Sequence, residues 1–208
     1  MKKIKFQRKK QYAIPFIFIL TFVVPLFFSC NKEKVIDTNS AAYKIELSEK
    51  LFIPAVVDLP ANLPGGNSRV ATYFAEGVQK YKAQLKAGTT NEYEWIFVAP
   101  DAKLYDAANR QKGTHGAGPY WTISAADSIF AQHFTPAKTS AAPEVNSIDW
   151  LLLMPKNGKI ATGVFKDVAY IQRIATTGGK APVIPPLNID VTAEVPYTAI
   201  YRFTKKNP

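Results

Sequence analysis

Residues 194–204 read EVPYTAIYRFT, with Val195, Tyr197, Ala199, Tyr201 and Phe203 on one side of a period-two alternation and Pro196, Thr198, Ile200, Arg202 and Thr204 on the other. Successive side chains of an extended strand point to opposite faces, so the pattern predicts a strand with one consistently apolar face. Residues 163–176, GVFKDVAYIQRIAT, are long enough for a helix, but their β-branched and aromatic content favours a strand. There Val164, Lys166, Val168, Tyr170, Gln172 and Ile174 alternate with Phe165, Asp167, Ala169, Ile171, Arg173 and Ala175, so each face mixes apolar and charged groups. The runs EWIFVA at 94–99 and WLLLM at 150–154 stop at Pro100 and Pro155 and suit strands buried on both faces. Residues 69–75 and 78–85 flank Glu76-Gly77, a hairpin candidate. With 15 prolines and 11 glycines placed mostly between these runs, the punctuation is that of many short strands. Residues 79–86 and 125–132 have some helical potential, but strand or turn suits both better. The expected fold class is all-β, an antiparallel β-sandwich or β-barrel-like single domain with short or no helices.

The first residues follow different rules. Lys2, Lys3, Lys5, Arg8, Lys9 and Lys10 precede any acid, and residues 12–28, YAIPFIFILTFVVPLFF, are almost unbroken in apolar character. A basic start followed by such a run has the layout of an export signal, at the short limit for a spanning helix. Ser29 then precedes Cys30, the only cysteine of the chain, and this junction resembles a bacterial lipobox, with Phe27 where leucine is usual. The resemblance implies cleavage of residues 1–29 and lipidation of Cys30; the other reading is an uncleaved anchor. Both place the domain outside the cytoplasm at a membrane. Residues 30–50 are polar, mixed in charge and read as a tether, and 51–208 as the β-rich domain.

The chain carries 26 basic and 16 acidic residues, a net charge of +10, but six of the basic residues lie before Cys30, leaving 20 against 16, or +4. Over half the excess charge therefore belongs to the export signal, and nucleic acid is discounted as a partner. A lipidated Cys30 leaves no thiol for a disulfide, a metal or catalysis.

Seven blocks in order carry a family likeness: Gly77-Val78-Gln79-x-Tyr81; Ala99-Pro100-Asp101-Ala102-x-Leu104-Tyr105-Asp106; Gly113-Thr114-His115-x-Ala117-Gly118-Pro119-x-Trp121; Trp150-Leu151-Leu152-Leu153; Tyr170-Ile171-Gln172-Arg173; Thr177-Gly178-Gly179-Lys180-Ala181-Pro182; and Val195-Pro196-Tyr197-Thr198-Ala199. Over residues 76–203 the chain resembles the bacterial and fungal family called domain of unknown function 3455. The resemblance implies a secreted all-β domain and leaves activity open. Some fungal relatives bear a malate dehydrogenase label, which this chain does not support. Dinucleotide binding needs G-x-G-x-x-G between strand and helix, whereas glycines 113, 116 and 118 are in the wrong order. Many relatives carry a cysteine two residues after the first block's tyrosine and another shortly after the G-G-K-A-P block. Here the first position is Ala83 and residues 183–193 contain none, which implies loss of a disulfide pair worth ~2–4 kcal/mol.

The candidate chemistry is sparse. Two histidines, His115 and His133, are too few for a zinc site, and Asp101, Asp106 and Asn109 lack the spacing of a calcium loop and read as turns at Pro100-Asp101 and at 108–110. No metal or cofactor is expected. Thr114, Ser124, Asp127 and Ser128 lie near His115 in sequence, but no G-x-S-x-G elbow presents a nucleophile. Residues 177–180, TGGK, precede alanine and lack the first glycine of a phosphate loop, so nucleotide is also discounted and Lys180 falls at the tip of a turn. What remains is aromatic: Tyr120 and Trp121 beside His115, with Arg173 on a largely apolar face and Lys180 as a further candidate, suit a shallow site for a sugar or another polar ring. The competing reading puts Trp121 in the core and pairs Arg173 with Asp167 or Asp149. The functional expectation is a cell-envelope lipoprotein, held to a bacterial membrane by its lipid anchor, with a binding or structural domain for carbohydrate or an envelope protein. The alternative is an envelope hydrolase of glycan or ester bonds using His115.

Overall fold

The computed structural model describes residues 37–208, so the export signal and Cys30 lie outside the described residues. Eight antiparallel strands run β1 (Asn67–Leu85), β2 (Tyr93–Tyr105), β3 (Gln111–Gly116), β4 (Tyr120–Ser124), β5 (Asp127–Ser140), β6 (Trp150–Pro155), β7 (Val168–Gly178) and β8 (Thr192–Lys206). Each pairs with its sequence neighbour, and β1 also pairs with β8 from Asn67↔Lys206 to Lys82↔Thr192, which closes the sheet into a barrel. The all-β expectation, left open between sandwich and barrel, resolves to the barrel.

The alternation along β8 has a direct meaning in this fold. Tyr197, Ala199, Tyr201 and Phe203 enter the interior with Tyr73, Ala75, Leu104, Trp121, Ile129 and Ile171. An eight-stranded barrel has an interior just wide enough for side chains to fill. One end is plugged: a 3-10 turn at Gly163–Phe165 inserts the fully buried Phe165 against Phe203, with ring centroids 4.7 Å apart. The other end carries the turn at 117–119 and the connections at 141–149 and 179–191, and among the described residues it receives no such plug.

A second apolar layer forms on the outside. Helix α1 (Ala41–Ser48), N-capped by the Ser40 hydroxyl, and the extended chain after it lay Ala41, Ile45, Leu51, Ile53, Val57 and Leu59 over Phe74, Trp150, Leu152, Tyr170, Ile174 and Ile200. Gln172 Nε2 donates to the Val57 carbonyl at 2.8 Å, and Arg202 reaches the Ser48 carbonyl at 2.8 Å and the Glu49 carboxylate at 3.1 Å. The polar stretch expected as a tether up to residue 50 therefore yields to packed structure from Ser40 onward. Its few apolar residues suffice because the barrel supplies the opposing surface.

Strand β6 is buried on both faces as expected: Leu151 and Leu153 point into the barrel, while Trp150 and Leu152 lie under the outer cover. Residues 94–99 differ. Phe97 and Val98 are 53% and 50% exposed, because the outer cover does not reach this part of β2 and Phe97 stands at the open end. The hairpin expected at Glu76-Gly77 is instead the middle of β1. Gly77 allows β2 to approach there, since a Cβ would lie 2.1 Å from the Asp101 carbonyl oxygen. The strand expected from residue 163 begins at Val168, after the 3-10 turn.

Because Trp150 is 3% exposed beneath the cover, Trp150→Ala should lower the unfolding free energy by ~3–5 kcal/mol, as much as an interior truncation. Chemical denaturation checks this against Val98→Ala, expected to change stability by less than ~0.5 kcal/mol.

Candidate functional site

The stretch KGTHGAGPYWT forms the β3–β4 hairpin at the open end, turning through Ala117, Gly118 and Pro119 with Gly118 at φ +132°, a conformation suited to glycine. In its register His115 lies directly opposite Trp121. Both point inward, and the rings stack at 4.5 Å between centroids and 8° between planes. Two further rings brace the indole edge-on: Tyr201 at 5.1 Å and Phe203 at 5.5 Å.

The imidazole Nδ1 lies 2.8 Å from the Tyr120 carbonyl oxygen. A carbonyl only accepts, so Nδ1 carries the proton and Nε2 is an acceptor. Burial holds the His115 pKa down to about 3, the Tyr120 hydrogen bond opposes that shift, and the Arg173 charge adds to it. The ring is therefore neutral near pH 7.

Arg173 stands on β7 between Leu151 of β6 and Tyr201 of β8, both in direct register and both interior. Its Nε and Nη2 donate to the Asp149 carbonyl oxygen at 3.0 and 2.8 Å. Among the described residues no carboxylate forms an ion pair with it. Asp149 thus serves as the expected partner through its backbone oxygen, not its charge.

His115, Trp121 and Arg173 line one cavity of about 320 Å³ together with Phe97, Pro100, Pro119, His133, Leu151, Leu153 and Tyr201. A second recess of about 340 Å³ shares Phe97, His133, Leu151 and Arg173 and extends past Gln79, Tyr81, Asp149 and Lys180 at the rim. Four buried polar atoms of the interior have no hydrogen-bond partner among the described residues: Gln79 Nε2, Trp121 Nε1 and the hydroxyls of Tyr197 and Tyr201. Burial, then the neighbouring Tyr201, pushes the Tyr197 hydroxyl far above its usual range, and burial raises Tyr201, so both keep their protons.

The structure thus brings together three of the expected residues, His115, Trp121 and Arg173, and holds Lys180 at the outer rim, its Nζ on the Val145 carbonyl at 2.7 Å. Tyr120 does not join them by its side chain. Its ring turns outward onto Phe130 at 5.7 Å, because its neighbour Trp121 faces inward, and its contribution is the carbonyl that fixes His115. Trp121 has no accessible surface, and His115 occupies its face, so the stacking platform expected for a sugar is absent there.

Thr114 is exposed on the opposite face of β3, and Ser124 and Asp127 meet at 2.5 Å at the plugged end, where Asp127 also accepts from Val164 N at 2.8 Å. None of these reaches His115. Asp101 is in β2 rather than a turn, bonded to Lys80, while Asp106 organises the 106–110 turn by accepting from the backbone of Ala108 and Arg110. Among the described residues no group of three or more His, Cys, Asp or Glu gathers as a metal site.

A family model described as "Protein of unknown function (DUF3455)" matches residues 64–205. The chain belongs to this family. No curated protein and no solved structure matches it. The family match spans the barrel from β1 to all but the last residue of β8, whereas α1 and most of the outer cover precede it. Ala83 is buried, and its backbone N–H bonds to the Val191 carbonyl at 2.9 Å. Trp95 Nε1 bonds the Ile184 carbonyl at 2.9 Å, so hydrogen bonds attach this connection to the barrel.

Sequence reasoning missed Gln79, Tyr81, Tyr197 and Tyr201 as site groups. The signal was present: a glutamine among the inward positions of β1 and two tyrosines on an otherwise apolar inward face, each bringing a polar atom to a place that punishes unpaired ones.

The neutral His115 links stability to pH. An unfolded chain protonates this histidine below about 6.5, but the folded chain resists until about 3, so its contribution is intact above about 6.5 and is lost as pH falls through that window. Unfolding free energy should fall with a slope of up to ~1.4 kcal/mol per pH unit from this group. Denaturation curves of His115→Asn, which keeps a donor for the Tyr120 carbonyl and cannot titrate, should lack that part of the slope.

Proposed function

We propose that this protein is a lipid-anchored cell-envelope binding protein whose barrel holds a small molecule in its open end. The observation that carries the reading is the convergence of His115, Trp121, Arg173 and Tyr201 on one open cavity with buried polar atoms left unpaired. An unpaired buried polar atom costs on the order of 1–3 kcal/mol, and a ligand that satisfies several of them recovers that energy on binding. Binding is favoured over hydrolysis because His115 is fixed to a carbonyl instead of a carboxylate and has a pKa of about 3, too low for a base working near neutrality. The serine and threonine candidates also lie away from it.

The envelope assignment rests on the basic and apolar start of the chain and on Ser29-Cys30. The same open end carries Val183, Ile184 and Leu187 at 93%, 77% and 88% exposure, which supports contact of that end with another envelope component.

Native mass spectrometry of the full-length protein taken from bacterial envelopes tests both parts. A diacylated Cys30 and a small-molecule adduct are expected. Ala117→Trp, which fills the mouth from an exposed turn, should remove the adduct and leave the acylation. An unacylated chain whose processing ignores globomycin would defeat the anchor, and an adduct unaffected by Ala117→Trp would defeat the site.

A further inference from the structure

The unmet polar groups of the interior are unequal in kind. Gln79 Nε2 and Trp121 Nε1 can only donate, and the Tyr197 and Tyr201 hydroxyls, held protonated, are able to donate. The two hydroxyls lie close enough to affect each other's ionisation, and the Arg173 charge is felt at Tyr81, His115, Tyr197 and Tyr201 alike. Arg173 adds a permanent cation whose Nε and Nη2 share one carbonyl oxygen, and no described carboxylate neutralises it. The nearest acid in sequence to that carbonyl is Asp149 itself, exposed at the outer rim. Against this set of donors, the side chains of this cavity able to accept include His115 Nε2 and the ring of His133, which is exposed. Apart from His133, the remaining wall is apolar, chiefly Phe97, Pro100, Pro119, Leu151 and Leu153.

A neutral sugar presents as many donors as acceptors around its ring and would leave this wall mismatched. A divalent or larger phosphate would meet one permanent cation, the guanidinium, since Lys180 is held at the rim by Val145 and the other basic side chain of the lining, His133, is exposed. A carboxylate brings two acceptor oxygens that match a guanidinium fork, and one negative charge that one arginine balances. The cavity's volume of about 320 Å³ corresponds to about ten water-sized groups at roughly 30 Å³ each, enough for a carboxylate with a short apolar chain or one ring.

Building on the binding reading above, we propose that the barrel recognises a small apolar monocarboxylate, with its carboxylate on Arg173 beside Tyr201 and its apolar body between Phe97, Pro119 and Leu153.

The test uses the full-length protein in lipid nanodiscs, with empty nanodiscs as the blank, and calorimetric titration of two probes sharing one skeleton, 3-phenylpropanoate and 3-phenylpropan-1-ol. The carboxylate should bind at least tenfold tighter than the alcohol. Arg173→Gln should erase that difference while leaving the alcohol's affinity within about threefold, and Ala117→Trp should abolish binding of both. Thermal unfolding of each variant confirms that it is folded. An alcohol that binds as tightly as the carboxylate, or a preference that survives Arg173→Gln, overturns the carboxylate class and leaves the binding reading standing. Binding of neither probe overturns the carboxylate proposal alone if the Ala117-sensitive envelope adduct is present, and the binding reading with it if that adduct is absent.

Discussion

The pairing of β1 with both β2 and β8 is the constraint from which the rest of this structure follows. A closed sheet has no edge to protect, and it divides every strand's side chains into an inside of fixed width and an outside of any extent. The inside must be filled to nearly crystalline density, which Trp121, Tyr201, Phe203, Phe165, Leu104 and Ile129 do from the plugged end upward. Near the open end polar side chains such as His115 and Arg173 join the apolar ones, and there the packing gives way to a cavity.

Closure also explains why the outer wall is not uniformly polar. Phe74, Trp150, Leu152, Tyr170, Ile174 and Ile200 would form a large exposed apolar patch without α1 and the chain that follows it. Arg202, on the outer face of β8, is tolerated at 6% exposure because the Ser48 carbonyl and Glu49 meet its guanidinium. The inner wall contains the contrasting case, since Arg173 donates twice to one backbone oxygen and meets no carboxylate among the described residues. Two arginines on adjacent strands thus have different meanings: one fastens a cover and the other faces a space.

The His115–Trp121 pair links packing to the site. Its stacking comes from direct cross-strand register, and the Tyr120 carbonyl fixes the tautomer, so the hairpin that shapes the turn also sets which nitrogen accepts. A sequence rich in glycine and containing a histidine resembles a catalytic loop. The pair instead forms a rigid, neutral side of a donor-rich chamber, and burial is what makes the difference.

Much of this was legible in the chain. The period-two order of residues 194–204 fixed which side of β8 is inward, and the unbroken apolar run at 150–154 announced a strand covered twice, because a strand's two faces depend only on local geometry. The blocks from Gly77 to Ala199 identified the family, and Gly113, Gly116 and Gly118 excluded a dinucleotide fold by their spacing. Local pattern could not tell that Gly77 lies mid-strand, that residues 41–48 pack as a helix, or that Phe97 is half-exposed, since each depends on what another segment brings opposite. It also could not decide between core and site for Trp121 and Arg173. Only closure of the barrel, which sets residues from β1, β3, β4, β7 and β8 around one space, determined that Trp121 is both floor and core and that Arg173 faces the cavity without a carboxylate.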